Sequence, residues 1–242
     1  MAKYYDNLEG QSSIHTNSGT EIEVPPGFHE MSSIVIARCS LLQSQIQQVI
    51  YATHGAEVFA AKKALADFPS PKSRIEFLLS FPYGEDDPVF STVFDYAKIL
   101  FENLYDVRNV LAHENWMTSR EFKGVVVFSS INEEARLMLA SGRLAHGRKT
   151  TPQEIYNATI RYIRKLKIIS CVNLQAAIED ANLCSWILMS IANVLGEKDV
   201  DKKTALRSTF RLFQGTSHLF DEHNRISGII TVQSSKNKSI KG

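Results

Sequence analysis

Between Pro88 and Ala112 the apolar residues Phe90, Val93, Phe94, Ala97, Leu100, Phe101, Leu104, Val107 and Leu111 recur in steps of three and four. That period puts them on one face of an α-helix, which needs other apolar faces against it. Shorter segments supply them. Residues 31 to about 51 carry Ile34, Ile36, Leu41, Leu42, Ile46, Val49 and Ile50 at mostly helical spacing. Further helices are expected at 56–66, where Val58, Phe59 and Leu65 point inward, and from Ser70-Pro71 on, with Ile75, Phe77, Leu78 and Leu79. Thr151-Pro152-Gln153-Glu154 has the pattern of a capping box with proline at the first helical position. The helix it opens is expected to run to about Ala181, followed by a last helix from Cys184 to Leu195. After Trp116 the pattern changes. Trp116-Met117-Thr118 and Val125-Val126-Val127-Phe128 read as extended segments joined by a turn containing Gly124, which is a small β-hairpin. The expected fold is mainly α: a helical bundle with a small β-hairpin insertion after the long helix.

Three regions follow. Residues 1–27 are polar, end in Pro25-Pro26-Gly27, and read as a flexible N-terminal arm. Residues 28–198 form the bundle, with the β insert at about 116–150. Residues 199–242 read as a C-terminal extension ending in a partly disordered tail. The 27 basic and 26 acidic side chains nearly cancel, so bulk charge gives no support for duplex binding. Cys39, Cys171 and Cys184 are far apart, odd in number and without a CxxC, which argues against a disulfide framework or zinc site. The polar first nineteen residues are not expected to act as a signal peptide, and Trp186–Leu195 is too short to span a bilayer. A soluble, cytoplasmic protein without membrane contact, metal or cofactor is expected.

One segment carries chemistry. The long helix ends as Tyr105-Asp106-Val107-Arg108-Asn109-Val110-Leu111-Ala112-His113-Glu114-Asn115-Trp116. Histidine moves protons near neutral pH, and arginine forks onto phosphate oxygens. Together they suit cleavage of RNA through its 2′-hydroxyl without a metal. The bare spacing means little, since Arg108 and His113 have four residues between them and Arg211 and His218, with six between, fit the same window; the helix end and Asn109 single out the first pair. Geometry sets a condition: five residues at about 100° each leave Arg108 and His113 roughly 140° apart. Arg108 continues the Phe101–Leu104 side, while His113 lies below Asn109, Asp106 and Glu102. Either the helix loosens before His113, or Arg108 reaches around, or a second subunit completes the site. Asn115 is suited to a left-handed cap at the helix end.

Arg108, Asn109 and His113, late in a long helix, resemble the signature of the HEPN family: an arginine, often a following polar residue, then a histidine four to six positions on. The resemblance rests on about ten residues and implies a helical-bundle ribonuclease that cleaves RNA without metal. It further implies a homodimer, in toxin–antitoxin or antiviral defence systems, with RNA as substrate and an antitoxin as partner. The alternative is a non-catalytic helical module of the same fold that binds a partner protein or nucleotide.

Blander roles stand beside these. Asp106 and Glu102 could orient His113 or Arg108, or be plain surface charges, and Trp116 could stack on a base or pack in the core. Arg161, Arg164, Lys165 and Lys167 form a basic run that could line an RNA path or simply be a solvated face. Arg143 and Arg148, near His146 and Lys149, could touch phosphate from a loop.

Overall fold

The computed structural model describes residues 4–8, 16–17, 23–55, 57–80, 88–119, 121–141 and 150–197. Among them are seven helices and five short strands, so the protein is mainly α. The chain falls into two compact units. One comprises residues up to Ser40 and Phe101–Asn182; the other comprises Leu41–Leu100 and the chain from Leu183 on.

The first unit is built on an antiparallel sheet. Strand β1 is Asp6–Asn7, β2 Thr16–Asn17, β3 Asn115–Ser119, β4 Val125–Ser129 and β5 Lys167–Ser170, in spatial order β1-β5-β4-β3-β2. The hairpin expected after the long helix is β3–β4, with Trp116 opposite Phe128 and Met117 opposite Val127. Successive side chains of a strand point to opposite faces, and β4 is covered on both. Val127 and Met117 join Leu8, Ile163 and Leu166 in one buried cluster. On the other face Phe28 meets Trp116 edge-on at 5.4 Å, and Trp116 meets Phe128 at 5.3 Å. A central strand buried on both sides explains the unbroken Val-Val-Val-Phe run, where a half-exposed strand would alternate.

Phe28 is placed by the turn before it. Its amide donates to the Pro25 carbonyl at 3.1 Å, and Gly27 has φ of 78°. Proline second and a positive-φ glycine third is the demand of a type II turn, and helix α1 (Phe28–His54) begins directly behind it. Within the segment read as a flexible arm, Asp6–Asn7 pairs with β5 and Thr16–Asn17 with β3, and Tyr4 and Leu8 are buried.

Three features depart from the sequence reading. Residues 131–140, placed inside the β insert, form a helix, α5 (Ile131–Ala140). Glu134 in its first turn holds it to the hairpin, accepting from Ser129 Oγ and from Asn115 Nδ2. The helix expected from Thr151 to Ala181 is interrupted. Helix α6 (Pro152–Lys165) starts with the full capping box at Thr151 and Glu154, then gives way to β5, which pairs with β4. A last helix, α7 (Cys171–Gly196), starts at once and is continuous where two helices were expected. Its start is capped reciprocally: the Ser170 amide donates to Asn173 Oδ1 at 2.8 Å, and the Asn173 amide to Ser170 Oγ at 3.2 Å. The apolar residues Ile163, Leu166 and Ile169 are all buried and keep a step of three through the break. Periodicity alone therefore reads them as one helix.

The second unit is helical among its described residues. It takes the later part of α1, α2 (Val58–Asp67), α3 (Pro71–Ser80), the first part of α4 (Pro88–His113) and the later part of α7. Leu42, Ile46 and Ile50 of α1, Ile75 and Leu78 of α3, Phe94 and Ala97 of α4, and Ile187 and Ile191 of α7 form its buried apolar set. Phe68 and His54 stack on Phe77, at 4.8 and 6.1 Å. Phe59, expected to face inward, is 84% exposed. Helix α2 turns Ala61 and Ala64 to the core in its place. The C-terminal extension from 199, with Arg211 and His218, lies outside the described residues.

Phe128 is fully buried between aromatic partners, so Phe128→Ala should lower the unfolding free energy by about 3–5 kcal/mol. Phe59→Ala should change it by no more than about 0.5 kcal/mol. Urea unfolding of the two variants beside the parent protein measures both.

Candidate functional site

Helix α4 stays intact through His113, and the Glu114 amide still donates to the Val110 carbonyl at 3.1 Å. One residue later the chain is already in β3. The Trp116 indole Nε1–H turns back to donate to the Leu111 carbonyl at 3.1 Å, satisfying one of the acceptors that a helix end leaves open. The left-handed cap expected at Asn115 is absent. No described residue other than glycine has positive φ, and Asn115 begins the strand.

The 140° divergence on the helix is closed by arginine's length. Arg108 Nη1 lies 3.0 Å from His113 Nε2 and donates to Asn109 Oδ1 at 3.1 Å. Of the three arrangements left open by the sequence, the reaching arginine is the one present. Neither a loosened helix nor a second chain is needed to bring the pair together. A guanidinium nitrogen has only protons to offer. The contact therefore makes Nε2 the acceptor and leaves the ring proton on Nδ1. Among the described residues, Nε and Nη2 of Arg108 have no acceptor.

His113 and Asn109 open on a cleft of about 540 Å³. Asp106 lines it from one turn earlier in α4; Ser130, Ile131 and Asn132 line it from the start of α5. Lys167 of β5, Glu114, Val110 and Tyr5 complete the wall. Lys167 Nζ is paired with Glu114 Oε1 and lies 5.3 Å from the centre of the Tyr5 ring. Arg108 itself is half-buried and is not among the lining residues; it is joined to the cleft through its contacts with His113 and Asn109, which are.

The other residues singled out by sequence divide clearly. Asp106 belongs to the cleft; Glu102, further up the same stripe, is not among its lining residues. Arg161, Arg164 and Lys165 are exposed on α6 and outside the lining, and Arg161 faces Glu133 at 3.5 Å. Of that basic run Lys167 alone reaches the cleft, because the chain leaves the helix between Lys165 and Lys167. Arg143 and Arg148, with His146 and Lys149, lie outside the described residues. Trp116 packs between Phe28, Phe128 and His29, the last stacked at 5.4 Å. Sequence reasoning missed Tyr5, Ser130 and Asn132 and gave Glu114 no part in the site. Only the sheet and the α5 turn bring these residues to the end of α4, and no local spacing announces it.

Among the described residues no group of three or more His, Cys, Asp or Glu side chains could hold a metal ion. None of the described helices is long and apolar enough to cross a membrane. Comparison with protein-family models, curated proteins and solved structures finds no match.

Behind the site, Cys39 of α1 is buried and its thiol donates to the Leu104 carbonyl at 3.4 Å. Burial pushes this thiol up to about 12, against a smaller downward pull from the Arg108 guanidinium. The native state thus holds the Cys39 proton where the unfolded chain, near the ordinary 9.0, releases it. The stability this contributes is whole below about 9 and is lost as pH rises from there towards 12. Between pH 9 and 11 the parent protein should lose stability faster than Cys39→Ala, by up to about 1.4 kcal/mol per pH unit. Denaturant unfolding at stepped pH reads the difference.

Proposed function

We propose that the protein is a metal-independent endoribonuclease of the HEPN type, with His113 and Arg108 as its catalytic residues. The observation that carries this reading is the 3.0 Å approach of Arg108 Nη1 to Nε2 of His113, a residue on the wall of an open polar cleft. As RNA binds, Arg108 turns its Nη1 from His113 to the phosphate and frees the Nε2 lone pair, which takes the proton of a ribose 2′-hydroxyl as that oxygen attacks the adjacent phosphorus. The bond from phosphorus to the 5′-oxygen breaks, leaving a 2′,3′-cyclic phosphate on one product. Arg108, with donors to spare, stabilises the charge that builds on the non-bridging oxygens. Asn109 holds the guanidinium through its Oδ1 and thereby positions it. The leaving oxygen requires a proton. In a homodimer with two His113 side chains near the two-fold axis, one acts as base and the other as acid. A dimeric ribonuclease of this kind fits a toxin or defence effector, restrained by an antitoxin partner.

The test is incubation of purified protein with single-stranded RNA in the presence of a chelator, followed by analysis of the new ends. Cleavage that leaves 2′,3′-cyclic phosphate is expected. His113→Ala should slow it by about 10²–10⁴-fold, and Arg108→Ala by about 10²–10³-fold. Intact RNA with the parent protein, at a concentration where sedimentation shows a dimer, would sink the reading.

A further inference from the structure

On the wall of the same cleft stands a cation that the Arg108–His113 pair leaves unused. Lys167 is the first residue of β5, and two neighbours hold its ammonium on the cleft wall: Glu114 Oε1 and the face of the Tyr5 ring. An ammonium has three donors. The carboxylate takes one and the ring faces another, so one remains for a ligand in the cleft. The pair is a poor device for stability. Among the described residues Glu114 Oε2 is buried with no hydrogen-bond partner, and Glu114 and Lys167 side chains are 15% and 24% exposed. Removing these charges from water costs more when one oxygen goes unsatisfied. A part-buried cation on the wall of a polar cleft, beside candidate catalytic residues, is placed to meet an anionic ligand there.

We propose that Lys167 is a second phosphate-binding cation of this site, holding a neighbouring phosphate of single-stranded RNA while Arg108 engages the scissile one. The proposal rests on the ribonuclease reading given above. Lys167 acts as a point charge on a flexible stem, suited to a phosphate whose position varies with the strand. Glu114 and Tyr5 are its positioning residues, holding the stem against the wall. The start of α5 brings Ser130 and Asn132 to the same cleft, where their polar side chains could meet the sugar and phosphate of the strand.

The experiment measures binding of a fluorescent 2′-O-methyl RNA oligonucleotide, which has no attacking hydroxyl, as a function of salt. Each phosphate contact to a single strand contributes about 0.7 to the slope of log affinity against log salt. Lys167→Met, which keeps the apolar stem against Tyr5, should reduce the slope by about 0.7. It should also weaken binding about tenfold at low salt. Lys167→Arg should restore the slope. The double variant Glu114→Gln/Lys167→Met removes both charges together, and should show the same reduced slope if the single variant folds poorly. Equal slopes for the parent protein and both charge-removing variants would overturn the proposal, as would failure of the parent protein to bind. Unmodified RNA of the same sequence separates the two ideas. If it stays intact while the slope difference holds, cleavage fails and the role of Lys167 stands; if it is cut with equal slopes, only Lys167 fails.

Discussion

The passage from helix α4 directly into strand β3, with Glu114 the single residue between them, is the constraint on which the site depends. A helix that ends this abruptly leaves carbonyls without partners. Here the indole of Trp116 supplies a donor to Leu111 while its ring packs between Phe28 and Phe128. One side chain thus closes the helix and seats the hairpin. His113 is fixed as the last helical residue, exposed at the mouth of a cleft, and Glu114 is turned toward Lys167 on β5.

The sheet is small, but it gathers distant parts of the chain. Strand β4 is buried on both faces and flanked by β3 and β5, so covering it draws in α6, β5 and the start of the chain. Those same pairings bring Tyr5 and Lys167 beside residues of α4. Glu134, accepting from Ser129 and Asn115, ties α5 down and brings Ser130 and Asn132 to the cleft. Polar bonds at the edge of an apolar sheet therefore shape a polar cleft.

Arg108 shows how side-chain length can undo a helical argument. On the backbone it diverges from His113 by about 140°, and a shorter residue would stay on its own side. A guanidinium at the end of a three-methylene stem spans the difference, and Asn109 steadies it on the way. The same guanidinium lies close enough to Cys39 to pull against the effect of burial on that thiol.

Helical class, the long amphipathic α4, the hairpin and the capping box at Thr151 were legible in the sequence, because each depends on periodicity or capping among residues a few positions apart. The Arg108–Asn109–His113 grouping was legible for the same reason. The sequence left α5, the break at β5 and the continuity of α7 unread. Ile163, Leu166 and Ile169 keep a helical step across the break, and only pairing with β4 makes Ile168 and Ile169 a strand. Tyr5, Ser130 and Asn132, and the pairing of Glu114 with Lys167, were decided by tertiary structure alone. Their approach is fixed by strand register and by the burial of β4, which no spacing along the chain records.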